Sequence, residues 1–178
     1  MLDRLLVLKF NGGDKNAYQR IYLKYRSDLL KVATHLLGAT AAAEDVVQDV
    51  FVQFARGCGH FELQGSLKGY LAICVANRAR DILRATGRRA EQNQVLSERS
   101  APLQPGPEHP AMEREMSERL AGALDQLPFE QREVIVLHLQ QSLAFKEIAQ
   151  HKGLSINTMM SRYRYGLDKL RSILDGEL

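Results

Sequence analysis

Near the carboxy-terminal end of this 178-residue chain, Asn157, Thr158, Ser161, Arg162 and Arg164 bring an amide, two hydroxyls and two guanidinium groups onto neighbouring turns. Amides and guanidinium groups pair with base edges in two-bond fashion and hydroxyls accept or donate, so this set suits the reading of duplex DNA. A second set comprises Lys68, Asn77, Arg78, Arg80, Arg84, Arg88 and Arg89, with Tyr70 among them and a nearby loop carrying His60 and Phe61. Cations interleaved with stacking rings and amides suit a single strand of nucleic acid. A third set, Asp45, Gln48, Asp49 and Gln53, forms an acidic and amide face, equally suited to solvent or to docking a partner. Enzyme chemistry finds no such footing. No phosphate-cradling glycine loop, nucleophile motif or two-histidine metal spacing is present, and neither metal nor cofactor is expected.

The elements that must carry the first set are two helices. Ile148 and Ala149 give an apolar face to a short helix that Gly153 can end, because glycine tolerates the left-handed backbone of a helix stop. Ser155 can cap a second helix, along which Ile156, Met159, Tyr163, Leu167, Leu170 and Leu174 recur at three- and four-residue spacing. A pair of helices joined by a glycine-containing turn matches the helix-turn-helix, whose second helix enters a major groove. A helical hairpin with a solvated face fits the same segment.

Upstream, Asp14 can cap a helix whose stripe is Tyr18, Ile21, Tyr22, Tyr25, Leu29, Ala33, Leu36 and Leu37, ended by Gly38. Thr40 is expected to cap the next, with Val46, Val47, Val50, Phe51 and Phe54 facing inward and Glu44 and Asp45 in the first turn, where the helix dipole favours carboxylates. After a loop with three glycines, Ser66 can cap a long helix with Leu67, Tyr70, Leu71, Cys74, Val75 and Ile82 on its buried side; the basic residues run along its outer side and past its end. Between Gln94 and Ala111 the apolar periodicity disappears and Pro102, Pro105, Pro107 and Pro110 crowd together, the composition of a flexible linker. Helical spacing resumes through Leu120, Ala121, Leu124 and Leu127. Pro128 suits the first position of a further helix, in which Ile135, Val136 and Leu139 are expected to bury. No useful strand alternation appears, so the fold class is all-α: two small helical domains, 1–93 and 113–178, joined by a flexible Pro-rich linker, 94–112.

The net charge of +3 is small, but its distribution is uneven. Residues 1–93 hold 14 Lys and Arg against 9 Asp and Glu, residues 113–178 hold 9 against 10, and the cations gather in 78–89 and 162–171, as a phosphate backbone would attract them. The apolar runs are too short for a membrane span or secretion signal, so a cytoplasmic location is expected. Cys58 and Cys74 lack paired CxxC spacing, which indicates neither a disulfide framework nor a structural zinc site. Cys74 falls on an apolar helix face; Cys58, close to His60, sits in the glycine-flanked loop.

The order of these elements resembles the bacterial RNA polymerase sigma factors of the extracytoplasmic-function (ECF) group, part of the sigma-70-like superfamily. The matching segments are GDKNAYQRIYLKY (13–25), AEDVVQDVF (43–51), YLAICVANRARDILR (70–84), LDQLPFEQREVIVL (124–137), KEIA (146–149) and NTMMSRYR (157–164). By that resemblance the first domain is sigma2-like and the second sigma4-like. Asp45, Gln48, Asp49, Val50 and Phe51 lie on the helix that docks on the clamp coiled coil of the beta-prime subunit of core polymerase, and the beta flap is the other expected contact. The loop around 58–65 and the helix 68–84 correspond to the part that melts the minus-ten element and holds a base outside the stack, at a cost of a few kcal/mol that stacking and edge contacts must return. Phe61, Lys68, Tyr70, Asn77, Arg78, Arg80, Arg84, Arg88 and Arg89 are the candidates there, Tyr70 having a competing core role. For the minus-thirty-five element, read as duplex promoter DNA, they are Asn157, Thr158, Met160, Ser161, Arg162 and Arg164, with Arg162 suited also to bracing the domain or touching phosphate.

This chain has Asn157 and Met160 where many relatives have glycine and a cation, which shifts the expected base preference toward thymine methyls. No further domain is expected after Leu178, so control would come from a separate anti-sigma factor. Two other readings remain: a sigma-mimicking interaction protein that sequesters an anti-sigma factor, against which the retained arginines argue, and a stand-alone helix-turn-helix regulator, which leaves AEDVVQDVF unexplained.

Overall fold

Eight helices make up the regular structure of residues 2–38, 40–93 and 111–176, which the computed structural model describes; no strand occurs among these described residues. The linker expected at 94–112 falls outside them from 94 to 110, but Ala111 and Met112 already belong to a helix.

Helix α1 (Leu2–Asn11) was not singled out from sequence, because its apolar residues Leu2, Leu5, Leu6, Val7, Leu8 and Phe10 do not fall on one narrow stripe. It buries Leu6, Val7 and Phe10 against α2 (Lys15–Leu37). Asp3 fastens the pair, accepting from Lys24 Nζ (2.6 Å) and from the Tyr25 hydroxyl (2.7 Å). Helix α2 has the expected stops: Asp14 Oδ1 accepts from the Asn16 and Ala17 amides at 2.8 and 3.3 Å, and Gly38, at φ 69°, donates its amide to Thr34 O at 2.8 Å. Helix α3 (Thr40–Arg56) begins at Thr40 itself instead of after it, which moves Glu44 and Asp45 one residue further from the dipole's positive end and leaves the first turn without a carboxylate. Helix α4 (Leu67–Asn93) starts under the Ser66 hydroxyl, which accepts from Gly69 N at 3.1 Å, and continues past the whole basic stretch.

Helices α5 (Ala111–Asp125), α6 (Phe129–Gln141), α7 (Phe145–Lys152) and α8 (Ile156–Asp175) form the second unit. Pro128 stands one residue earlier than expected, at the N-cap. Gly153 ends α7 at φ 63°, and Ser155 Oγ caps α8 by accepting from Thr158 N at 3.0 Å.

Helix α6 determines how the two units meet. Val134, Ile135, Val136 and Leu137 are consecutive and all buried, which one apolar face of a helix cannot accomplish. Helices α2 and α4 cover one side of α6 and α8 covers another. Val134, Val136 and Leu137 therefore join the core of the first unit, together with Leu143, Ile148 and Met159, while Ile135 closes a smaller cluster with Ala123, Leu124, Leu127 and Leu170. The two units share their larger core, where the sequence had implied a simple tether. Three residues of the expected apolar stripes are displaced: Leu139 lies on an open side of α6 and is 56% exposed, Ile156 opens α8 in solvent, and Leu120 is exposed on α5. Helices α6 and α8 approach closely at Gly166, where an added Cβ would stand 2.8 Å from Ile135 Cδ1 and 3.1 Å from Gln131 Cβ.

Replacing Asp14 with alanine should cost about 1 kcal/mol through loss of the cap and lower the melting temperature by roughly 2–4 °C. An unchanged thermal melt would show that the two amides find equal partners in water.

Candidate nucleic-acid interface

On α8 the capping geometry turns the first two turns outward. Asn157, Met160, Ser161 and Arg164 are exposed and, with Phe145 and Tyr163, line a shallow concavity of about 380 Å³. Met160 is 52% exposed, a thioether held in water beside amide and guanidinium groups. The Thr158 hydroxyl is engaged with Ser155 Oγ at 2.8 Å, so it belongs first to the cap. Arg162 is half-buried, and the Arg164 guanidinium stands 5.0 Å from the Tyr165 ring centre. Behind this surface, Phe145, Tyr163 and His138 form a triad of rings with centres 4.2–5.1 Å apart, and His138 Nδ1 lies 2.7 Å from Leu143 O. The triad gives this exposed face a stiff backing.

On α4 the basic residues divide. Arg84 and Arg88 are exposed; the side chain of Arg89 lies outside the described residues. Lys68 pairs with Asp28 at 3.5 Å. Arg78 donates through Nε and Nη2 to one oxygen of Asp49, at 3.0 and 2.7 Å, which joins the basic face of α4 to the acidic face of α3. Both partners are about half exposed, so the pair is easily exchanged for other contacts. Arg80 turns inward to α6, where it meets Glu133 and lies over the Phe129 ring. Asn77 accepts from Lys152 Nζ at 2.6 Å.

The loop between α3 and α4 is pinned to α1. Cys58 donates its thiol to Phe10 O (2.9 Å), and Asn11 Nδ2 donates to Phe61 O (2.7 Å), so Cys58 is half-buried and engaged. The Phe61 ring packs 5.0 Å from Phe54 and 4.9 Å from Tyr70. Both candidate stacking rings are thus half-buried against each other, at the end of an aromatic row through Phe54 and Phe10. Burial, with the Cys74 thiol alongside, pushes the Tyr70 hydroxyl up to about 12. Cys74 is raised as well, by burial.

On α3, Asp45 and Gln48 are exposed and line a small recess with Tyr22 and Arg26. Val50 and Phe51 are core residues, Phe51 being only 1% exposed, so they set the shape of this surface from beneath. Residues 132, 133 and 152 were not singled out from sequence. Their one signal was a charged pair, Arg132–Glu133, directly before the apolar run of α6. Among the described residues no group of His, Cys, Asp and Glu is arranged to hold a metal ion, and no helix is long and apolar enough to cross a membrane.

Polar and basic faces thus stand on separate helical units, with an acidic face beside one of them, and two family models match the segments that carry them. Sigma-70 region 2 matches residues 21–89, and Sigma-70, region 4 matches residues 117–170. The chain belongs to the sigma-70 family of RNA polymerase sigma factors, in its extracytoplasmic-function group. It binds core RNA polymerase and directs promoter-specific initiation of transcription. The RNA polymerase sigma-H factor of Pseudomonas aeruginosa is 26% identical, across 94% of this chain and 92% of that one. The ECF RNA polymerase sigma-E factor of Haemophilus influenzae is 24% identical, across 91% and 89%. The fold is shared by the sigma factor RpoE of Bartonella quintana, solved in complex with the anti-sigma factor NepR: TM-score 0.76, 23% identity, 89% of this chain and 96% of that one.

A phenol raised in this way is held neutral, so its contribution to stability is complete below the ordinary tyrosine value near 10 and is lost as pH rises through about 12. In a near-ultraviolet tyrosinate titration, Tyr70→Phe should remove a step that ionises at about 12. A curve identical to the wild type would contradict the packing of this ring.

Proposed function

We propose that three exposed faces divide the work of initiation. Asp45, Gln48 and Asp49 on α3 engage the beta-prime clamp of core polymerase, with Val50 and Phe51 shaping that surface from the core. Phe61, Tyr70, Asn77 and the cations Lys68, Arg78, Arg80, Arg84, Arg88 and Arg89 take the melted minus-ten strand. Asn157, Met160, Ser161 and Arg164 read the minus-thirty-five duplex, while Thr158 holds the cap and Arg162 braces the helix or touches phosphate. The beta flap meets the second unit, 113–178. The observation that carries this reading is that polar groups suited to three different partners stand exposed on three helices whose opposite sides are committed to the core.

Met160 supports a preference for thymine methyls at its position. Two weak contacts on linked units reinforce each other through effective concentration. The chain performs no bond chemistry; nucleotide addition belongs to the polymerase, and the factor acts in the cytoplasm where polymerase is found. Control by an anti-sigma factor is supported by the relative of the same fold that was solved bound to one.

The combined Gln48→Lys and Asp49→Lys substitutions should abolish co-purification with core polymerase without loss of helical circular dichroism; undiminished co-purification would remove α3 from that contact. Arg164→Ala, tested in the full chain on minus-thirty-five duplex, should lower the salt slope by about one if the residue meets phosphate. If it reads a base, the loss should be about 1–3 kcal/mol at one base pair. No change in either quantity would take Arg164 out of the interface.

A further inference from the structure

Helix α1 packs on α2 through Leu6, Val7 and Phe10, and no residue of it belongs to the three faces above. Its other side is unlike an ordinary solvated helix. Leu2, Leu5 and Leu8 recur at three-residue spacing and are 54%, 51% and 71% exposed, so they form one row of leucines standing in water. Arg4 and Lys9, both exposed, flank the row on opposite sides. The neighbouring helix carries the same sign: residues 2–37 hold 7 Lys and Arg against 3 Asp and Glu. All three acids are engaged, Asp3 by Lys24 and Tyr25, Asp14 in the cap of α2, and Asp28 by Lys68 at 3.5 Å. Arg4, Lys9, Lys15, Arg20 and Lys31 are exposed and have no ion-pair partner among the described residues. An exposed apolar patch rimmed by charge marks a site of contact with protein or membrane.

We propose that this face is a peripheral binding site for an anionic phospholipid bilayer: Leu2, Leu5 and Leu8 enter the acyl boundary while Arg4, Lys9 and Arg20 meet headgroup phosphates. The size of the patch favours lipid over a protein partner. A helix of 10 residues is about 15 Å long, and three leucines along it cover far less than the ~800 Å² a side that a stable protein interface takes. A bilayer needs no matching shape; it accepts apolar side chains to a shallow depth and attracts each nearby cation. A second copy of this chain would instead bring like charges together. The row is also preorganised. Burial of the opposite side and the tie from Asp3 to Lys24 and Tyr25 hold α1 folded beforehand, so insertion requires no ordering of the helix. No helix among the described residues can cross a membrane, and the contact through α1 is one of surface attachment. It engages the first unit alone and leaves the exposed face of α8 free.

The chain contains no tryptophan, which makes an introduced one a clean probe. Leu8→Trp in the full chain should bind vesicles of equal parts phosphatidylglycerol and phosphatidylcholine, its emission moving to shorter wavelength as the indole leaves water. Vesicles of phosphatidylcholine alone should bind about tenfold more weakly, or worse. In co-sedimentation of the otherwise wild-type chain with the mixed vesicles, Arg4→Gln combined with Lys9→Gln should lower affinity about fivefold for each cation removed. Leu5→Gln combined with Leu8→Gln should lower it by about tenfold or more, since two side chains no longer gain from leaving water. All four positions are exposed, so the thermal melts should match the wild type.

Emission unmoved by the mixed vesicles would overturn insertion of the row, even where the chain sediments through its other basic stretches. Equal sedimentation of the wild type and the leucine variant would do the same. Equal binding to both kinds of vesicle would overturn the choice of anionic lipid. Were an acidic protein helix the occupant, neither kind of vesicle would retain the chain and the proposal would fail. These outcomes are separate from the division of labour proposed above, because no variant touches α3, α4 or α8.

Discussion

A helix of 13 residues with four consecutive buried apolar side chains cannot be satisfied by one neighbour. Helix α6 must be covered from two directions, and that requirement orders the rest of the molecule. From one side α8 is laid along it with Asn157, Met160, Ser161 and Arg164 left in solvent; from the other, α2 and α4 bring the first unit into contact. The charged pair at the start of the same helix then crosses the junction, Arg132 toward the carbonyl end of α2 and Glu133 toward α4. Apolar coverage sets the proximity of the units, and the two charges set their register.

The first unit obeys a different constraint. Its functional loop has little regular structure of its own, and it is held by side-chain contacts to α1 and by a row of aromatic rings. The rings suited to stacking on an extruded base are already stacked on protein.

Helix stops and apolar stripes were readable because they depend on a few neighbouring residues: Asp14, Gly38, Ser66, Gly153 and Ser155 each do in the structure what their local chemistry implies. The two-unit helical plan and the exposed polar face of α8 were readable for the same reason. What escaped depends on contacts between distant segments. Helix α1 was missed because burial chose three of its many apolar residues, and Leu139 and Ile156 fell on open sides that only the packing of α6 and α8 defines. Arg80 shows the limit for the site. Its charge and position on α4 suggested DNA, yet its nearest anion lies 53 positions away in the sequence.

Gly166 carries a consequence for how this protein can diversify. A carbon added at that point would press on the Ile135 and Gln131 side chains, so α8 has a back that resists enlargement and a front open to solvent. Substitutions at positions 157, 160, 161 and 164 can therefore change the chemistry of the exposed face of α8, while the angle at which that helix lies on α6 is inherited unchanged.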